Sequence, residues 1–317
     1  MSRGCDLPMD SYRLAHYSVQ VPCYVCDGGN TYDAGMCRHC QAPMALAHQS
    51  AAQKVRPSMV AVLGTSGAGK TVYLGMLMDM LSRRDDPLQV LARGAFSISL
   101  QQLTTSALVQ AEFPSKTPNE PDRWNWVHCQ VRSKGHRHPF ELIVPDMAGE
   151  AVLQEIDHPR TFPIIRSFLS KCTGVTVLID AIRLQSGEHD QDHFTMKLLT
   201  FLSELFDAEE TKHKNKNKKK KKKRDHPPIA LVLTKADQCE RCFDDPTAFA
   251  RTHAPGMWQY CQERLPTYKV FAAGVAGACA YRNELGGSRR RIPLRVEPRG
   301  IIEPFQWLIE TIPASRH

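Results

Sequence analysis

Met59-Val60-Ala61-Val62-Leu63-Gly64-Thr65-Ser66-Gly67-Ala68-Gly69-Lys70-Thr71 is the stretch that decides the architecture. Five apolar residues in succession suit a strand buried on both faces of a parallel sheet. The run stops at Gly64, and residues 64–71 fit the spacing G-x4-G-K-[ST]. Beyond Lys70, the residues Tyr73, Met76, Leu77, Met80 and Leu81 recur at helical spacing. Strand, glycine-rich turn and helix thus come in the order that a phosphate-cradling loop requires. Backbone N–H groups of the loop and the helix N-terminus would face the anion. Lys70 would reach the outer phosphates, and the Thr71 hydroxyl would ligate Mg2+. Gly64, Thr65, Ser66, Gly67, Ala68, Gly69, Lys70 and Thr71 are therefore candidate nucleotide-binding residues.

Working outward, strands and helices alternate. Residues 124–131 and 140–144 read as two strands joined by a polar turn, 175–179 and 229–233 as buried strands, and 270–272 as a last core strand. Helical faces are carried by Leu100, Leu103 and Leu108, by Ile164, Ile165 and Phe168, and by Phe194, Leu198, Phe201, Leu202 and Leu205. One helix is expected over residues 249–265, and Ile302, Phe305, Leu308 and Ile309 mark a closing one. This is a three-layer α/β domain over residues 56–317, with a mainly parallel sheet and helices on both faces.

Two strand ends carry chemistry. Asp146 follows the 140–144 run, and an acid there can support Mg2+. Gly149, three residues on, would let its backbone N–H approach a γ-phosphate without a side chain in the way. Glu150 is next, as a candidate for orienting an attacking water. After the 229–233 run, Thr234-Lys235-Ala236-Asp237 places an acid where it can accept both N1–H and N2–H of guanine, a donor pair that adenine lacks. The Lys235 stem would lie along the base, and backbone N–H groups of Ala272 and Ala273 would meet guanine O6. Thr117, ahead of the 124–131 strand, is a candidate switch threonine for Mg2+ and γ-phosphate. It reads equally as a loop residue before Pro118.

Taken together, residues 64–71, 146–149, 234–237 and 272–274 resemble the ordered motif set of P-loop GTPases of the Ras-like and translation-factor class, over most of residues 58–312. The paired cysteines near the N-terminus, the Asp146-Met147-Ala148-Gly149-Glu150 segment and the late Gly300-Ile301-Ile302-Glu303-Pro304 segment resemble the bacterial double-GTPase family, proposed to act in nucleotide-dependent conflict systems. The resemblance implies GTP and GDP as ligands, Mg2+ as cofactor and hydrolysis of GTP as a switch. It implies catalytic roles for Lys70, Thr71, Asp146, Gly149 and Glu150. The pattern departs from the wider class twice. Thr234 stands where Asn is usual, and Glu150 where many members carry Gln. Glu150 would either polarise the attacking water or repel the γ-phosphate. The alternative reading is a nearly inert GTP-holding scaffold.

Residues 1–55 form a separate unit in this reading. Cys23, Cys26, Cys37 and Cys40 make two C-x2-C knuckles ten residues apart, which fits a Zn2+-binding ribbon and a linker. Iron is the other metal such a site takes. A metal replaces a core that so short a module cannot build, so nucleotide binding is expected to be independent of it. Cys239 and Cys242 form a third C-x2-C, expected in an exposed loop. A ribbon is a docking surface, so a protein effector is expected to meet the chain there or at the switch segments.

The charge is uneven. Nine lysines and one arginine lie between Lys212 and Arg224, and removing those ten from the net +8 leaves −2. A disordered Lys-rich insertion is expected over 211–226. It would be either a solvated surface segment or a site for anionic lipid or nucleic acid, the latter without base stacking because no aromatic is interleaved. Hydrophobic residues at 42% and charged residues at 23% of 317 exclude a disordered or fibrous chain. No run approaches the ~20 apolar residues of a membrane span, and no signal-peptide pattern follows Met1, so a cytoplasmic protein is expected.

Overall fold

The computed structural model describes residues 20–53, 57–83, 88–134, 139–216, 226–239, 241–283 and 289–312. Its centre is a seven-stranded sheet. Strand β3 (Ser58–Gly64) is flanked on one side by β6 (Phe140–Pro145), β5 (Trp126–Ser133) and β4 (Leu88–Ala92). On the other side follow β7 (Gly174–Asp180), β8 (Ile229–Thr234) and β9 (Tyr268–Ala272). The four pairings from β6 through β3, β7 and β8 to β9 are parallel, while β4 with β5 and β5 with β6 are antiparallel. The expected mainly parallel α/β sheet is thus present, extended by an antiparallel wing.

Side-chain alternation along β3 builds both cores. Met59, Ala61 and Leu63 point into one hydrophobic cluster, Val60 and Val62 into the other. The second cluster is closed by helix α2 (Lys70–Ser82), α3 (Ala95–Val109) and α10 (Ile302–Thr311). On the first face lie α4 (Gly149–Asp157), α5 (Pro163–Leu169), α6 (Ala181–Gln185) and α7 (His189–Lys216). The same cluster holds α8 (Pro246–His253) and α9 (Pro255–Arg264), which replace the single helix expected there. The break falls at Pro255, which has no N–H to continue a ladder and instead opens the second helix.

Two small antiparallel pairs stand outside the sheet: β1 (Gln20–Pro22) with β2 (Gly29–Thr31), and the hairpin β10 (Gly274–Asn283) with β11 (Arg289–Arg299). Helix α1 (Met44–Gln53) follows the first pair. The hairpin was not foreseen, nor was β4. The Lys-rich insertion also begins differently from expectation. Helix α7 continues to Lys216, so the front of the 211–226 stretch is helix rather than disordered chain. Lysine is a good helix former, and its own repulsion did not end the helix. Residues 217–225 lie outside those described. His226, the next described residue, packs on the middle of the same helix, its Nε2 3.0 Å from Asp207 Oδ1 and its ring against Phe206.

Candidate nucleotide-binding site

The C-terminal ends of β3, β6, β8 and β9 converge on a cavity of about 330 Å3, as expected for ligands of open α/β sheets. Its floor is the glycine loop from residue 66 to 71, one wall is segment 113–117, and the far end holds Thr234, Lys235, Asp237 and Gly274. Ala148, Gly149 and Glu150 complete the rim.

At the near end the side chains are interlocked. Gly69 has φ 86°, a left-handed conformation that lets the loop turn into α2. Lys70 folds back, its Nζ donating to the carbonyls of Gly64 at 3.1 Å and Thr65 at 2.9 Å. Burial lowers its pKa to about 8, against the opposing pull of the Asp146 and Glu150 carboxylates. Its preferred partner is an anion that would restore the full charge. The Thr71 and Thr117 hydroxyls both donate to Asp146 Oδ2 at 2.9 Å and lie 3.0 Å from each other. Thr117 thus sits with the proposed metal residues.

Asp146 is fully buried, and its Oδ1 has no hydrogen-bond partner among the described residues. Burial pushes its pKa up, with the two hydroxyls and Lys70 opposing. Two hydroxyls and an unsatisfied carboxylate oxygen form a hard-oxygen donor set that fits Mg2+. Gly149 opens α4 hard against the loop: a Cβ there would lie 2.6 Å from the Gly64 carbonyl oxygen and the Ser66 nitrogen. Glu150, exposed in the first turn of α4, accepts a hydrogen bond from Asn119 Nδ2 at 3.3 Å.

The far end differs from expectation in detail. Thr234 Oγ1 donates to the Ile179 carbonyl at 3.1 Å, so its hydroxyl ties two strands together instead of reaching the loop. Lys235 adopts a left-handed backbone, φ 57°, and its ammonium is hydrogen-bonded to Asp180. Asp180 was not foreseen. It also caps α6, accepting from the N–H groups of Ile182 and Arg183. The signal was available, since an acid ends the apolar run 175–179 as Asp146 ends its own. Asp237 lines the cavity, with burial raising its pKa and Gln238, hydrogen-bonded at 2.9 Å, opposing. Gly274 packs directly on it, for a Cβ there would meet Asp237 Oδ1 at 2.3 Å. Of the two expected backbone donors, Ala273 lines the cavity and Ala272 does not. The Ala273 N–H donates to the Leu233 carbonyl at 2.8 Å. The lining continues through Gly274, Val275 and Ala276.

The sequence profile described as Double-GTPase 1 matches residues 61–289. The chain belongs to that family. It is a GTP-binding protein of the double-GTPase kind. No curated protein sequence matches it. Similar solved structures include the Arl6 small GTPase of Trypanosoma brucei with the analogue GppNp, at 14% identity, covering 82% of this chain and 98% of that one with a TM-score of 0.39. Another is the signal recognition particle receptor SRb-GTP/SRX complex of Chaetomium thermophilum, at 15% identity, 69% and 90% coverage and a TM-score of 0.34.

This double-GTPase chain also carries the cysteine cluster. The Sγ atoms of Cys23, Cys26, Cys37 and Cys40 lie within 4.8 Å of one another, with Cys23 3.7 Å from Cys40 and Cys26 3.5 Å from Cys37. A tetrahedral Zn(Cys)4 centre has sulfur–sulfur edges of roughly 3.8 Å. Val25 and His39 backbone N–H groups donate to the Cys23 and Cys37 sulfurs at 3.4 Å, as thiolates bound to a metal require. The four residues fit zinc. His39 is a bystander, its Nε2 accepting from Arg38 Nε at 3.1 Å.

The knuckles do not stand apart. Tyr24 meets Trp126 edge-on at 6.0 Å, Trp126 meets Phe168 at 5.8 Å, and Lys171 pairs with Asp27 at 2.5 Å. The cysteines belong to the same hydrophobic cluster as one face of the sheet. Cys239 and Cys242 are buried as well, not in the exposed loop expected, and burial pushes their thiols up to about 11 and about 12.

Proposed function

We propose that this chain hydrolyses GTP and uses the cycle as a switch. The observation that carries the reading is Thr117. Segment 113–117 walls the cavity and hands its terminal hydroxyl to the same Asp146 oxygen that Thr71 uses. A loop gripped at that point is held while a γ-phosphate is present and released when it is lost. Mg2+, when bound by Thr71, Thr117 and Asp146, would neutralise phosphate charge. Lys70 would swing from its two carbonyls to the β- and γ-phosphates. Asp237 would select guanine. Glu150 would orient the attacking water from the rim of the cavity, steadied by Asn119.

Single-turnover assays with GTP and ATP test this. GTP should turn over and ATP should not. Glu150→Ala should slow hydrolysis while leaving GTP affinity nearly unchanged, the signature of a group acting on the water rather than on the bound phosphates. If Glu150→Gln speeds hydrolysis, its charge opposes the γ-phosphate instead.

The scaffold reading rests on the same Glu150. It prevails if no turnover exceeds background and changes at Glu150 do nothing. The family resemblance supports a setting in a bacterial conflict system, and an effector meeting segment 113–117 or the cysteine knuckles. Phage challenge of cells carrying the intact chain or Lys70→Ala tests that setting. Among the described residues no helix is long and apolar enough to cross a membrane.

A further inference from the structure

The hairpin β10–β11 brings a charge to the cavity that no motif announces. Arg282 and Arg290 face each other across its ladder, and both reach Glu112, at 3.0 Å and 3.5 Å. Glu112 immediately precedes the wall segment 113–117, so these pairs fix the hairpin against the cavity. Successive residues of a strand point to opposite faces, so Arg291 is not drawn into that cluster. It lines the cavity instead, half-buried. Among the described residues its guanidinium has neither a hydrogen bond nor an ion pair. A partly desolvated cation without a hydrogen bond or ion pair is one that a ligand completes.

Its place is the nucleoside end. The Arg291 charge bears on Asp237 and Cys239, whereas Lys70 at the other end feels Asp146 and Glu150. A planar guanidinium beside a purine has a favourable way to bind it, which is to lie on the ring.

Resting on the guanine-nucleotide reading above, we propose that Arg291 is a further nucleotide-binding residue that stacks its guanidinium on the guanine ring. The hairpin is then part of the site, a clamp over the base. Affinities of GTP and GDP for the intact chain, Arg291→Ala, Arg291→Lys and Asp237→Ala test it, with thermal melting without nucleotide to confirm that each variant is folded. Arg291→Ala should weaken GTP and GDP alike, by roughly three- to thirtyfold. Arg291→Lys should recover little, because an ammonium keeps the charge and loses the plane.

Unchanged affinity in Arg291→Ala overturns the proposal, provided Asp237→Ala weakens binding. Full rescue by lysine overturns stacking, and a loss confined to GTP would place Arg291 at the γ-phosphate instead. If Asp237→Ala keeps its full preference for guanine, the base-site reading itself fails, and the role of Arg291 falls with it.

Discussion

The two ends of the cavity are built by different means. The phosphate end comes from one contiguous loop and two residues that lock onto it. Gly69 turns the chain, Lys70 and Thr71 follow at once, and Thr117 and Asp146 converge on the Thr71 hydroxyl. The base end has no such local unit. Asp180 leaves β7, Lys235 and Asp237 leave β8, Gly274 follows β9, and Arg291 returns on a hairpin strand. A contiguous loop carries its geometry in its own backbone. A site gathered from strand ends depends on the register of the whole sheet and on contacts between side chains far apart in sequence.

That difference can be broken at its strong point first. Lys70→Ala removes the side chain whose Nζ folds back over the Gly64 and Thr65 carbonyls, at the end of the cavity proposed to hold the phosphates. The loss of the charge-assisted hydrogen bonds proposed from Lys70 to the β- and γ-phosphates should lower GTP affinity on the order of a hundredfold, measured by titration with a fluorescent analogue. Gly149→Ala should do comparable damage by another route. Its methyl would meet loop backbone on more than one side, and backbone cannot swing away. If Gly149→Ala binds normally, the loop is more compliant than its packing indicates.

The base end should give smaller and more selective effects. Asp237→Ala should cost about tenfold or more in GTP affinity and leave ATP unchanged, so that the preference for guanine disappears. Gly274→Ala sharpens the point. The new methyl would displace the Asp237 carboxylate, with Cβ and Cγ both 2.8 Å away. It should reproduce part of the Asp237→Ala defect in competition between GTP and ATP. Full selectivity in Gly274→Ala would mean that Asp237 can bind guanine from a shifted position.

The smallest effect on nucleotide affinity is expected from the cysteines. Intact protein should hold about one zinc per chain by metal analysis, and Cys23→Ser or Cys37→Ser should lose it. The melting midpoint should fall, because Tyr24 and the knuckles belong to the core beneath Trp126. GTP affinity should change far less than in the Lys70, Gly149, Asp237 or Gly274 variants. A loss as large as that of Lys70→Ala would show that the sheet cannot hold the phosphate end without its metal-bound layer.

The same contrast explains what could be read from the sequence. Residues 59–71 were legible because strand, loop and helix sit side by side and each has a strong local signature. The candidate metal acid Asp146 was legible because it ends an apolar run, and the candidate base acid Asp237 because Thr234-Lys235-Ala236-Asp237 follows one. Asp180 obeys the same rule and was overlooked. The hairpin was not legible. Gly274-Val275-Ala276-Gly277-Ala278-Cys279 reads as loop composition, and the arginines of β11 do not alternate with apolar residues. Its place against the cavity wall involves contacts such as Arg282 and Arg290 with Glu112, which no window along the chain can reveal. Burial of Cys239 and Cys242 was hidden in the same way. Their cover comes from the tertiary cluster around them, not from their neighbours in sequence.

Trp124 gives the molecule a property beyond chemistry. Its indole N–H donates to the Pro118 carbonyl at 2.9 Å, one residue past the Thr117 hydroxyl that engages Asp146. The ring is almost wholly buried. Indole emission depends on such a hydrogen bond and on exclusion of water, so the protein has an optical probe built into the wall of its cavity. Displacement of Thr117 would pull the carbonyl from the indole and admit solvent, shifting the emission to the red. The lifetime of the bound state would then be visible in ultraviolet light without a label.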